Sequence, residues 1–303
     1  MRTNANTVRH IACVGTGTIG AGWAAYFLAR GFDVSATDPG ANAEAGLRRI
    51  VDQAWPQLEK LGLANGASPD RLRFTSNLSE AVHQAEFIQE SAPDREDLKI
   101  ELFAEIDAAA PSDTVIASSS SQFLPTRLAQ KCRHPERCVI GHPFTPSYLI
   151  PLVEVVGGEH TDPAVIDWAV DFYTAIGKKA LKLKKEILSY IANRLQHVVH
   201  QEAHRLIDAG VCDFEDVDVA MAYGPGLRWA FAGPLMCSHM GGGKGGIRHM
   251  IEHFGWDGPP GLRDEAIDTA ERVAGDLSMD EVEQWRDQNL VTMLKSLRPL
   301  PRR

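Results

Sequence analysis

Apolar and polar positions along the chain follow two regimes. Before Lys184, short apolar runs bounded by Gly, Pro, Asn or Ser predict strands at 11–14, 32–37, 72–74, 86–90, 114–118, 138–141, 152–156 and 179–183. Between them lie stretches with helical spacing. Leu47, Ile50, Val51, Ala54 and Leu58 predict a helix over 43–63, and further helices are predicted at 79–84 with Ser79 as N-cap, 94–110, 124–131 and 165–176. Alternating strands and helices of these lengths build a doubly wound, Rossmann-type α/β sheet. After Lys184-Lys185-Glu186 the strand signal fades, and helices are predicted at 190–208, 214–222, 234–240, 246–254, 261–277 and 280–297, with Gly210 closing the first. The expected architecture is therefore an α/β domain over 1–186 followed by an all-α domain over 187–303.

The first strand runs into Gly15-Thr-Gly17-Thr18-Ile19-Gly20 and a helix start. Gly15 suits the tight turn, Gly17 lets backbone approach a pyrophosphate, and Gly20 lets the helix pack closely on the strand; Thr18 and Ile19 open the helix whose N–H groups face the anion. Asp38 lies 23 residues beyond Gly15, at the end of the second apolar run, where a carboxylate meets the adenosine ribose. Pro39 and Gly40 follow it, with no arginine to receive a 2′-phosphate, so NAD is expected rather than NADP. Glu90, at the end of a later strand, and Lys99, on the next helix, are expected beside the same cofactor.

Composition narrows the class. The chain has 303 residues, 44% hydrophobic and 23% charged, enough for two ordinary cores. A net charge of −9 argues against nucleic acid or an anionic membrane as partner. No run approaches a membrane span, and the N-terminus lacks a signal core, so a cytoplasmic protein is expected. Cys13, Cys132, Cys138, Cys212 and Cys237 form no CxxC pair and are expected as reduced thiols. The basic 298–303 segment reads as a solvated tail. His197, His200 and His204 share a helical stripe, but no carboxylate joins them convincingly and no metal site is expected. Gly242-Gly-Lys244-Gly-Gly lacks a preceding strand and a following Ser or Thr, and reads as an inter-helix turn rather than a phosphate loop.

Candidate chemistry gathers near predicted strand ends. His142 and Glu154 flank a Pro-rich connection, and an imidazole with a carboxylate on one nitrogen is an oriented general base. Ser121 ends the run Ser118–Ser121. These residues, with the glycine turn, the block His134-Pro-Glu-Arg-Cys-Val-Ile-Gly-His142-Pro-Phe-Thr-Pro146, Leu152-Val-Glu154-Val-Val and Ile191-Ala-Asn193-Arg-Leu195, resemble the 3-hydroxyacyl-CoA dehydrogenase superfamily over nearly the whole chain. Phe87–Pro93, Gly226–Phe231 and Gln284–Asp287 resemble its branch of L-carnitine and L-gulonate 3-dehydrogenases, the latter also known as lambda-crystallin; Ala54-Trp-Pro, Arg71–Phe74, Val155–Glu159 and Gly245–His249 lean toward the carnitine side. The resemblance implies NAD-dependent oxidation of a 3-hydroxyl, with His142 as base, Glu154 steadying the imidazolium, and Ser121 and Asn193 hydrogen-bonded to the reacting oxygen. It also implies a homodimer formed through the helical domain, for which apolar faces around Val198, Leu206 and Met236 are candidates. Two departures stand out: Thr145 where the family usually has asparagine, and Leu188-Ser189-Tyr190 where it usually has Pro-Gly-Phe or Ala-Gly-Phe.

A free hydroxy acid brings a carboxylate that needs a cation, and Arg228 offers a bidentate fork; Trp229, Phe231, Phe144 and Tyr148 are candidate walls for a trimethylammonium group. The expected substrate is thus a small 3-hydroxy acid, L-carnitine first, with L-gulonate or 3-hydroxybutyryl-CoA as alternatives. The segment 57–73 mixes Lys60, Arg71 and Arg73 with Glu59 and Asp70, a weak surface for a CoA nucleotide. A catalytically decayed NAD-binding structural or sensor protein is the alternative of another class, supported by Thr145 and opposed by the intact Ser121, His142, Glu154 and Asn193.

Overall fold

The computed structural model describes residues 4–297; the basic segment from Arg298 onward lies outside them. Eight strands, β1 (His10–Val14), β2 (Asp33–Thr37), β3 (Leu72–Thr75), β4 (Phe87–Glu90), β5 (Val115–Ser118), β6 (Cys138–Pro143), β7 (Leu152–Gly157) and β8 (Lys179–Lys182), form one sheet in the order 3-2-1-4-5-6-7-8. All neighbours pair in parallel except β6 and β7, which are antiparallel. The helices between them are α1 (Thr18–Ala29), α2 (Ala43–Leu61), α3 (Leu78–Val82), α4 (Glu96–Ala109), α5 (Pro125–Leu128) and α6 (Pro163–Ala175). This is the doubly wound arrangement that the alternating pattern predicts, and its strand order reverses beside β1, where such sheets bind dinucleotides.

Each face of the sheet carries its own core. On one, Trp23 and Phe27 of α1 meet Phe87, Trp168, Phe172 and Tyr173, with Trp23 stacked on Phe27 at 5.1 Å between ring centroids. Helix α1 is apolar all round, and Gly20 to Ala29 are buried without a break. The other face packs Ile88, Phe103, Ile106, Ile116 and Ile140, with Tyr190 at its edge.

Beyond the sheet come α7 (Ala192–Asp208), α8 (Phe214–Tyr223), α9 (Pro225–Trp229), α10 (Pro234–Gly241), α11 (Gly246–Phe254), α12 (Arg263–Ala274) and α13 (Met279–Ser296). The chain divides into compact units Met1–Val198 and Val199–Arg303. The second has two small cores, one of Ile247, Ile251, Ile267 and Ala270, the other of Ala232, Met240 and Val282.

Several local expectations are corrected. Asn77, not Ser79, caps α3, because its side chain accepts from Glu80 N–H. The helix expected over 124–131 shrinks to α5, whose first residue is the proline. Pro225–Trp229, unpredicted, is helical because Pro225 takes the first position, where its missing N–H costs nothing. Among the described residues no helix is long and apolar enough to cross a membrane, and no group of three or more His, Cys, Asp or Glu could hold a metal.

Candidate active site

The glycine turn is fixed by backbone sterics. Gly15 has φ +87°, a conformation that disfavours a side chain, and its N–H donates to Thr37 O at 2.8 Å. A Cβ on Gly20 would stand 1.9 Å from Gly15 O, so only glycine lets the helix start so close to the turn. A Cβ on Gly17 would meet nothing within 4 Å. Fold packing therefore demands glycine at 15 and 20, whereas at 17 it leaves open space. Asp38 completes the turn, accepting from Thr16 N–H at 2.8 Å and Gly40 N–H at 2.9 Å.

Two cavities flank this turn. One, about 370 Å3, is lined by Gly17, Thr18, Ile19, Asp38, Ser91, Asp94, Lys99 and Ser119. The other, about 640 Å3, is lined by Gly15, Asp38, Pro39, Leu78, Pro93, Leu98 and Leu102 among others. Asp38 lines both. An apolar slot beyond a carboxylate, with a helix N-terminus and open glycine on its other side, fits a dinucleotide: adenine in the slot, a ribose on Asp38, and the pyrophosphate at Gly17 and Thr18. Lys99 lines the first cavity and is paired with Glu90 behind it. Glu90 is wholly buried and accepts from Lys99 Nζ at 2.7 Å, from the Ser118 hydroxyl and from Ala92 N–H, while Lys99 also donates to Ala92 O at 3.0 Å. The pair fixes the position of Lys99 in the cavity wall.

The base end is built from side chains. In the antiparallel register His142 of β6 faces Glu154 of β7 directly, and the imidazole Nδ1 lies 2.9 Å from Glu154 Oε2. The other carboxylate oxygen accepts from Ile191 N–H at 2.9 Å and Ala192 N–H at 3.0 Å, the start of α7. Burial pushes the Glu154 carboxyl up, but the bonds from His142, Ala192 and Ile191 outweigh it and hold the carboxyl below its usual range. With Glu154 on Nδ1, the ring presents Nε2 for proton transfer. Phe144 lies edge-on to His142 at 5.0 Å, and Tyr190 packs at 5.3 Å from the same ring. Ser189 and Tyr190, at the departure from the family pattern, have φ +63° and +51°. The backbone thus keeps the left-handed turn that glycine would favour, at a cost of order 1 kcal/mol per residue.

Ser121 and Asn193 come together, as Asn193 Nδ2 donates to Ser121 O at 3.4 Å. The Ser121 hydroxyl itself donates to Asp94 Oδ2 at 2.9 Å, a carboxylate that sequence reasoning did not single out. Ser119 was also passed over, although it lines the 370 Å3 cavity and receives bonds from Gln89 at 2.9 Å and Trp23 at 3.2 Å. The serine run signalled the loop without ranking its members. Tyr148 is half-buried and belongs beside α1: a Cβ on Gly22 would lie 3.4 Å from its ring.

The second unit holds the remaining candidates. Arg228 is exposed on α9 and has no side-chain hydrogen bond or ion pair among the described residues. Trp229 is 41% exposed. Phe231 instead packs edge-on against Trp285 at 5.3 Å, and Met236 joins the Ala232–Met240–Val282 core, so both serve that unit's interior.

Comparison with known proteins shows the family of the chain. Residues 10–187 match the 3-hydroxyacyl-CoA dehydrogenase, NAD binding domain, and residues 190–285 its C-terminal domain. L-carnitine dehydrogenase of Streptomyces griseus is 47% identical, covering 97% of this chain and 92% of that protein; the Pseudomonas aeruginosa L-carnitine dehydrogenase is 43% identical, covering 96% and 94%. Among solved structures, 5-formyl-3-hydroxy-2-methylpyridine 4-carboxylic acid 5-dehydrogenase, described as an NAD+-dependent dismutase, superposes with a TM-score of 0.76 at 26% identity, covering 96% of this chain and 97% of that one. The 3-hydroxyacyl-CoA dehydrogenase of Archaeoglobus fulgidus shares the fold, with a TM-score of 0.71 at 22% identity over 95% and 98% of the two chains. The chain belongs to the 3-hydroxyacyl-CoA dehydrogenase family of NAD-dependent oxidoreductases.

Proposed function

We propose that this enzyme oxidises the 3-hydroxyl of L-carnitine to the 3-dehydro compound. The observation that carries the reading is the buried His142–Glu154 pair in a chain that is 43–47% identical to proteins named L-carnitine dehydrogenase. NAD+, when bound, supplies the two-electron hydride acceptor. Gly15, Gly17, Thr18, Ile19, Gly20 and Asp38 hold it, while Glu90 and Lys99 brace the strand ends beneath. As the carbinol carbon is oxidised, His142 Nε2 takes the hydroxyl proton, and ionised Glu154 balances the imidazolium before the proton leaves to solvent. Asn193 donates an amide hydrogen bond to the reacting oxygen. Ser121 joins it by turning its hydroxyl away from Asp94, since one O–H cannot serve both. Phe144 and Tyr148 offer aromatic faces to the trimethylammonium group.

The enzyme acts in the cytoplasm as a homodimer. Supporting the dimer, no residue of α7 or α8 is buried, and Leu195, Val198, Phe214 and Val219 are each more than half exposed, the apolar surface that association covers. The test is NADH appearance at 340 nm with L-carnitine, carnitine methyl ester, L-gulonate and 3-hydroxybutyryl-CoA. L-Carnitine should give the highest kcat/KM, and the ester about a hundredfold less through loss of a charged hydrogen bond. A preference for gulonate or the thioester overturns the substrate, and silence with all four despite NAD binding overturns the enzyme.

A further inference from the structure

The segment leading into α7 holds a conformation that its own residues disfavour. Two consecutive residues with side chains, Ser189 and Tyr190, have φ values of +63° and +51°, and such strain persists only where surrounding contacts impose it. The contacts come through Tyr190. Its side chain is fully buried, its ring packs on His142, and its hydroxyl donates to Phe123 O at 2.7 Å across the serine loop. The next two amides, Ile191 and Ala192, donate to Glu154 Oε1.

We propose that Tyr190 is a positioning residue for the His142–Glu154 pair, its hydroxyl locking the left-handed turn that aims the Ile191 and Ala192 amides at Glu154. A phenylalanine at 190 would have no such anchor, and a glycine at 189 would adopt the turn without strain. Serine stands at 189, and the Tyr190 phenol supplies the restraint that the backbone lacks. The two amides draw negative charge from Glu154. Without them that charge acts on the imidazolium alone, and His142 yields its proton less readily.

The charged and titratable groups around this cluster are His142 on β6, Glu154 on β7, Asp94 from the turn after β4, and Glu186 from the segment before Leu188. Asp94 accepts from Ser121, and Glu186 accepts from Thr126 N–H and its hydroxyl at 3.1 and 2.7 Å. From β8 the residue opposite Glu154 is Leu181, which carries no charge.

The proposal rests on His142 being the base, so its test includes a readout independent of turnover. In Tyr190→Phe, amide hydrogen exchange at Ile191 and Ala192 should quicken about tenfold, the size of one lost hydrogen bond. In the same variant kcat for oxidation should fall about five- to tenfold with KM for NAD unchanged, and the acid limb of kcat/KM should move to higher pH. Ser189→Gly keeps the anchor and removes strain, so it should raise the melting temperature and leave exchange and pH profile alone. If Tyr190→Phe folds poorly, the Ser189→Gly/Tyr190→Phe double variant carries the same readouts. Wild-type exchange at Ile191 and Ala192 with an unmoved acid limb overturns the proposal, whatever happens to stability. Faster exchange in a protein whose His142→Asn variant still turns over would sink the base and leave the hold of Tyr190 on Glu154 standing.

Discussion

The two ends of the candidate site are made of different material. At the cofactor end, the turn from Val14 to Gly20 is contiguous and built from backbone: glycines shape it, and the single side chain it enlists nearby, Asp38, is spent on Thr16 and Gly40 N–H groups. At the base end, the buried, ionisable side chains of His142 and Glu154 and the backbone amide of Ile191 come from separate segments and meet. Sterics govern the first, electrostatics the second. The cofactor end should therefore fail abruptly with added atoms and be indifferent to pH, whereas the base end should respond to charge at constant shape.

The largest expected effect separates the ends completely. His142→Asn should lower kcat by about 10²- to 10⁴-fold, the usual worth of a general base, with NAD affinity unchanged by titration calorimetry; a matching loss of NAD binding would merge the two ends into one. Next come two one-methyl additions at the cofactor end. Gly20→Ala drives a Cβ into Gly15 O and should cost about 1–3 kcal/mol of stability, read as a lower melting temperature. Gly17→Ala adds a methyl into open space, so it should keep the wild-type melting temperature while weakening NAD by about tenfold, or 1.4 kcal/mol. If Gly17→Ala binds NAD normally, the phosphates do not approach there.

The smallest effect is the pH signature of Glu154. Its folded carboxyl is held below the unfolded value of about 4.3, so the unfolded chain binds the proton more readily. Glu154 therefore contributes stability fully above about pH 4.3, and that contribution is lost as pH falls through the lowered folded value. Against Glu154→Gln, the stability gap in urea unfolding should be flat near neutrality and shrink in acid. A gap that widened in acid would reverse the assignment.

Legibility followed the same division. The glycine turn and Asp38 were readable because local sterics act over a few residues. Ser121 and His142 were readable as residue types, yet the Ser121 proton goes to Asp94, twenty-seven positions earlier in the chain, where no local pattern points. Asn77 and Ser79 are both good N-caps, and only the path of the chain chose Asn77. Phe231 looked like a pocket wall because aromatic residues near an arginine do; its contact with Trp285 turns on how α9 meets α13.

By itself the sequence determined the alternation of strands and helices, the turn that only glycine can make, and the shift to an all-helical second half. These depend on backbone propensity and on the periods of 2 and 3.6 residues. Tertiary structure alone decided that His142 faces Glu154 across an antiparallel pair, that the second oxygen of Glu154 meets the Ile191 and Ala192 amides, and that Ser189 and Tyr190 take a left-handed turn. The reason is register: a slip of one residue between β6 and β7 would send His142 and Glu154 to opposite faces of the sheet, and only the packing of both faces fixes which register prevails.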